Sequence, residues 1–93
     1  MEGQRLDKWL WCARFFRTRA DAARFCVEGR PRIGGRVIDR AHATVRPGDV
    51  LTFALGPRIR IVRIKSLPPR RVGPPAARAL YDDLSPARSV EED

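Results

Sequence analysis

Between Arg5 and Val37 the apolar residues change their spacing once, and that change limits the fold more than any other feature of the chain. Leu6, Trp9, Leu10, Ala13 and Phe16 recur at the i, i+3, i+4, i+7 interval of a helix that buries one side, which predicts a first helix running to Phe15. Thr18 then offers its hydroxyl to an early backbone N–H. Asp21, three residues on, carries a carboxylate that can reach back to the Thr18 amide. This capping box starts a second helix. Ala22, Ala23, Phe25, Cys26 and Val27 make its small-residue face, and Gly29 is placed to end it in the left-handed conformation. Beyond Gly29 the helical interval is lost. Arg32-Ile33, Gly34-Gly35 and Arg36-Val37 read as a hairpin whose glycines supply positive φ.

Cations stand at every junction of this stretch. Arg14, Arg17 and Arg19 surround the meeting of the two helices, Arg5 and Lys8 lie off the apolar stripe, and Arg30, Arg32 and Arg36 gather at the hairpin. Nothing in the local sequence neutralises most of them. Open amides at a helix start, the positive end of the helix dipole and flanking guanidinium groups together favour a bound phosphate. A single arginine is as readily a solvated surface charge, so the signal lies in the group.

The whole 93-residue chain carries a net charge of +8. Residues 1–75 hold 17 basic and 6 acidic side chains, a net +11, whereas residues 76–93 hold 2 and 5, a net −3. Such a basic body points to a polyanionic partner, nucleic acid before an anionic membrane. A chain of this length makes one small core and leaves no room for a second, catalytic domain. Cys12 and Cys26 sit in helical patterns without a Cys-x-x-Cys or Cys/His cluster, so no metal site and no cofactor are expected; reduced, buried thiols are the simpler reading. His42, the single histidine, has no carboxylate or nucleophile spaced to partner it. No apolar run approaches the ~20 residues of a membrane span, and a cytoplasmic protein is expected.

The remainder reads as scaffold. Met1 to Gln4 form a polar lead-in, and residues 39–46 a loop with a weak extended stretch. Pro47-Gly48-Asp49 is a turn before a strand from Val50 to Leu55, which Gly56-Pro57 breaks. In Arg58 to Lys65 the apolar alternation shifts phase at Val62, which a bulge or a strand apolar on both sides would explain; Arg58 and Arg60 are placed to blunt a sheet edge. Residues 67–75, with four prolines, form a linker, dividing the chain into a domain at 1–66 and a last segment at 76–93. There Ala77, Leu80, Tyr81 and Leu84 suggest a helix over 76–84, and an acidic, disordered tail follows from Ser85. Trp11 and Phe15 point away from the stripe and either pack under this segment or stack on bases.

Arg5 to Val37, with the Pro47-Gly48-Asp49-Val50-Leu51 turn and strand, resembles the RNA-binding domain called S-four, after the small-subunit ribosomal protein that carries it. The opening RLDKWLWCARFFRTR and the later RRVGPPAARALYDD resemble the free-standing fifteen-kilodalton heat shock protein group. The resemblance implies an α+β chain of the αL RNA-binding fold, two N-terminal helices on a small, mostly antiparallel sheet with a short C-terminal helix. Carried over by position, the RNA-facing candidates are Arg5, Lys8, Arg14, Arg17, Thr18, Arg19 and Arg24, with Arg30, Arg32 and Arg36 from the hairpin side. It also implies structured ribosomal RNA as partner, with transfer RNA as a further candidate, on a large ribosomal subunit that still carries a nascent chain on tRNA. A non-enzymatic monomer is expected. The alternatives are an adaptor acting through protein contacts and an accessory RNA-binding subunit of an RNA-modifying enzyme.

Overall fold

The computed structural model describes residues 3–86. Its elements run β1 (Gln4–Arg5), α1 (Leu6–Cys12), α2 (Arg19–Glu28), β2 (Arg32–Ile33), β3 (Arg36–Val37), β4 (Thr44–Val45), β5 (Val50–Leu55), β6 (Arg58–Ile64), α3 (Pro74–Arg78) and β7 (Tyr81–Asp83). A five-stranded sheet in the order β3-β2-β5-β6-β7 is antiparallel throughout, and β1 pairs with β4 in a separate two-stranded ladder. This is the α+β arrangement expected, with the helix pair on one face of the sheet.

The stripe of α1 is the centre of the core. Leu6, Trp9 and Leu10 are wholly buried against Ala22 and Cys26 of α2, Leu51 and Phe53 of β5, and Val62 and Ile64 of β6. Each such large apolar side chain contributes about 1.5–3 kcal/mol by leaving water. Trp9 also keeps its polar atom satisfied, donating from Nε1 to the Ser66 carbonyl at 3.0 Å.

α1 ends at Cys12, one turn before the sequence pattern does. Arg14 adopts φ 68°, its N–H donates to the Trp11 carbonyl at 3.0 Å and the Phe15 N–H reaches the Leu10 carbonyl at 3.0 Å. That is a Schellman closure with arginine in the position usually held by glycine. The reason lies downstream: the Phe15 ring is drawn into a cluster with Trp9, Phe53 and Tyr81, at centroid distances of 6.1, 5.2 and 5.1 Å. Phe15 therefore packs against the core while staying half-buried at a cleft, and Trp11 lies under Arg71 of the C-terminal segment.

Other boundaries also differ from the sequence reading. Only half of the capping box forms: the Asp21 N–H donates to Thr18 Oγ1 at 3.0 Å, while the Asp21 carboxylate faces Arg24 at 3.4 Å. Gly29 stays right-handed at φ −83°, and Arg30 takes the left-handed turn at φ 49°. Glycine is needed at 29 because a Cβ there would meet the Phe25 ring at 2.3 Å. The polar lead-in supplies strand β1, and the last segment is a five-residue helix followed by a strand. β6 pairs with β5 in unbroken register from Val50↔Arg63 to Leu55↔Arg58, so the phase shift is a strand apolar on both sides. Arg60 does not guard an edge, since β7 and the residues after it cover that side. Ser85, where the tail was expected to begin, is ordered by bonds to Ile61 and Asp83. Residues 87–93 of that tail lie outside the described residues.

Residues 66–72 run across α1. The Pro68 carbonyl accepts from Gln4 Nε2 at 2.7 Å, Arg71 donates to the Trp11 and Phe16 carbonyls, and the Val72 carbonyl accepts from Arg14 at 3.2 Å. Leu67 and Val72 pack against the core. The segment holds the α1–α2 turn from outside.

Candidate nucleic-acid interface

Asp7 organises the cations at the start of the helices. It falls in the first turn of α1, where the helix dipole favours a carboxylate, and is 2% exposed. Oδ1 accepts the Lys8 N–H at 2.7 Å, Arg5 meets both oxygens at 3.1 Å, and Arg19 at the start of α2 approaches Oδ1 at 3.7 Å. The hydrogen bond to Asp7, and then its charge, push the Arg5 guanidinium above its ordinary range. One carboxylate thus holds two arginines, whose side chains remain 53% and 43% exposed. Arg5, Arg19 and Arg24 each have an acidic neighbour, where the sequence suggested none for most of the cations. Pairing here aims the charge without cancelling it.

The hairpin continues this surface. Arg5 is in register with Thr44 across the β1–β4 ladder, and Thr44 lines a cleft of ≈ 300 Å³ with Arg36, Arg40, Arg46 and Asp49. Gly34 and Gly35, at φ 57° and 89°, make the tight turn that presents this edge. Arg40 and Arg46 escaped the sequence reading because they belong to the loop and to the residue after β4. The folded cleft places both beside Arg36.

The ten candidates do not share one face. Arg32 pairs with Val37 and Thr52, whereas Ile33 pairs with Arg36 and Leu51, so Arg32 and Arg36 project from opposite sides of the sheet. Arg36 is on the helix side and Arg32 on the outer side. Arg14 is turned toward the C-terminal segment by its left-handed backbone and its bond to Val72. Arg17 and Arg24 line an open groove with Phe16, Phe25 and Gly29, beside Asp21. Thr18 is occupied as the α2 cap, Lys8 is half-buried, and Arg30 is exposed at its turn. Among the described residues no group of three or more His, Cys, Asp or Glu is placed to hold a metal ion. No described helix is long and apolar enough to cross a membrane.

A model of the S4 domain matches residues 4–51, which takes in α1, α2, the hairpin, the β1–β4 ladder and the start of β5. The chain belongs to the S4 domain family. Its relatives include Heat shock protein 15 of Escherichia coli strain K12, 35% identical over 88 residues, covering 95% of this chain and 64% of that protein. The Heat shock protein 15 homolog of Haemophilus influenzae is 30% identical over 89 residues, covering 96% and 67%. The chain thus spans about two-thirds of the length of these relatives. The solved structure of Vibrio cholerae Heat Shock Protein 15, described as trimeric, superposes with a TM-score of 0.81 at 32% identity, covering 98% of this chain and 89% of that one. An S4 domain is an RNA-binding domain, and the cations aimed by Asp7 and gathered at the hairpin lie within the matched residues.

Proposed function

We propose that the chain is a non-enzymatic protein of the cytoplasm that docks on structured ribosomal RNA, on a large subunit that still carries a nascent chain attached to tRNA. The observation that carries this reading is the continuity of charge from Arg19 through Asp7 and Arg5, across the β1–β4 ladder, to Arg36, Arg40 and Arg46. A-form RNA hides its base edges in a deep major groove, so an arc of guanidinium groups suits phosphates, 2′-hydroxyls and splayed loop bases. Within the arc, Arg5, Arg19 and Arg36 come from the original candidates. Lys8, Thr18 and Arg30 border it, and Arg14, Arg17 and Arg24 line the adjoining turn and groove.

Replacing Arg17 and Arg19 together should abolish co-sedimentation with large subunits from cell lysate while the circular dichroism stays unchanged. If association survives the double change, the adaptor reading replaces this one. With about five phosphates neutralised, log affinity should fall with log salt with a slope on the order of −3.5 to −4.5. A salt-insensitive complex contradicts the proposal. A monomer remains part of it, and sedimentation of the full chain as a trimer, the state given for the Vibrio cholerae protein, would remove that part.

A further inference from the structure

A second cleft lies between the end of α1 and the C-terminal elements, apart from the surface that Asp7 and the hairpin build. It encloses ≈ 450 Å³, and its walls include Arg14, Phe15, Arg60, Arg78, Tyr81 and Asp83. Among the described residues three guanidinium groups therefore meet one carboxylate, and that carboxylate is already engaged. Asp83 Oδ1 accepts the Ser85 N–H at 2.9 Å and Oδ2 faces Arg60 at 3.2 Å. Its hydrogen bonds with Ser85, with a smaller contribution from Arg60, hold the Asp83 carboxyl below the usual range, so it stays ionised and bound.

Arg60 is a fixed part of the wall. Its side chain is 20% exposed, its Nε donates to Ser85 Oγ at 3.3 Å, and its guanidinium lies 5.2 Å from the Phe15 ring centroid. Arg14 and Arg78 are exposed at the rim, the first held to the Val72 carbonyl and the second in the last turn of α3. Between them the half-buried Phe15 and Tyr81 rings, 5.1 Å apart, offer an aromatic wall.

A cleft of several hundred Å³ with aromatic walls and a few convergent polar groups has the dimensions of a small-molecule site. A free phosphate would need no aromatic wall, and an apolar ligand would need no guanidinium groups. A nucleotide out of its stack uses both, placing its base on an aromatic face and its phosphate on arginine. We propose that this cleft takes one unstacked ribonucleotide of the bound RNA, with its phosphate between Arg14 and Arg78 and its base against Phe15 and Tyr81. The proposal rests on the RNA-binding reading above and adds to it a nucleotide-sized subsite on the far side of the α1–α2 turn. An acidic peptide would satisfy the arginines and leave the aromatic wall without a role.

The test is a titration of the full chain with adenosine 5′-monophosphate, followed by amide chemical shifts, with inorganic phosphate and a glutamate-rich peptide as parallel probes. Saturable shifts at Phe15, Arg78 and Tyr81 are expected with the nucleotide. Arg78→Ala, at an exposed position, should weaken it about tenfold through loss of a charge-assisted phosphate contact. Arg63→Ala, on the outer face of the sheet, should change it by less than about twofold. Absence of cleft shifts, or equal binding by Arg78→Ala, overturns the site. Phosphate binding as tightly as the nucleotide overturns the base contact, and tighter binding of the peptide overturns the choice of ligand. RNA affinity measured on the same samples separates the two readings. An empty cleft in a protein that still binds RNA refutes this inference alone, and a filled cleft in a protein that binds no RNA refutes the proposed function.

Discussion

Arg71 closes the exit of α1 by holding the Trp11 carbonyl, to which its Nε donates at 3.1 Å while its guanidinium lies 5.7 Å from the Trp11 ring centroid. The same group donates from Nη2 to the Phe16 carbonyl at 3.0 Å. Carbonyls in the last turn of a helix lack partners within it, and here a side chain 60 residues downstream supplies one. Arg71→Ala should lower the unfolding free energy by about 2–3 kcal/mol, from two part-buried hydrogen bonds and a cation–π contact. Arg71→Lys should recover less than half of that, because an ammonium cannot span two carbonyls in the guanidinium plane. Urea denaturation of the three proteins measures both effects.

The elements that repeat a period over several residues were legible in the sequence: the stripe of α1, strand β5 and the glycine hairpin. The end of α1 was not, because no glycine or proline marks it and the pull on Phe15 comes from Phe53 and Tyr81. Two-residue strands such as β1 and β4 have no period to read, yet their pairing carries the candidate surface from Arg5 toward Arg36. Tyr81 and Leu84 fit a helical wheel, but Tyr81 pairs with Ile64, so tertiary contact overrides a short local preference. For the interface, the abundance of arginine was plain while its direction was not. Arg32 and Arg36 look alike in sequence, and only the hairpin register sends them to opposite faces. Asp7 was the overlooked residue, although it is the sole acid in the first helix.

The half-formed capping box gives its two members unequal weight. Thr18→Ala removes the bond from the Asp21 N–H and should cost about 1 kcal/mol. Asp21→Ala leaves that bond in place and removes only a dipole interaction and an exposed pair with Arg24, so it should cost about 0.3–1 kcal/mol. Thermal unfolding of both variants at low salt should rank them in that order. A larger loss for Asp21→Ala would restore the full box.

Gly29 tests packing against backbone preference. Its φ of −83° suits alanine, and where alanine can adopt the backbone without strain the change from glycine ordinarily stabilises by about 0.4–1 kcal/mol. The Phe25 ring removes that advantage, because a Cβ at 29 would lie 2.3 to 2.8 Å from three ring atoms. That ring is held between Phe16 and Phe53, at centroid distances of 4.9 and 6.0 Å. Gly29→Ala should therefore destabilise by about 1–3 kcal/mol as an overpacked site. In a Phe25→Leu background the same change should be close to neutral. The double-mutant cycle is the measurement, and an equal cost in both backgrounds would place the effect in the backbone.

Cys26 links the core to alkaline pH. The thiol is wholly buried, and burial first and the nearby Asp7 charge second push its pKa from an ordinary 9.0 up to about 12. The folded state thus favours the protonated thiol. Its contribution to stability is fully present below pH 9 and is lost as pH rises from 9 toward about 12, because the unfolded chain releases the proton first. Cys26→Ala should flatten that part of the stability curve relative to the parent chain, while the arginine, lysine and tyrosine contributions common to both cancel in the difference. At pH 8, Ellman's reagent should leave the native thiol unmodified until denaturant opens the helix pair, since neither the thiolate nor a path to it is available in the fold. Rapid native labelling at Cys26 would show that α2 parts from α1 without global unfolding.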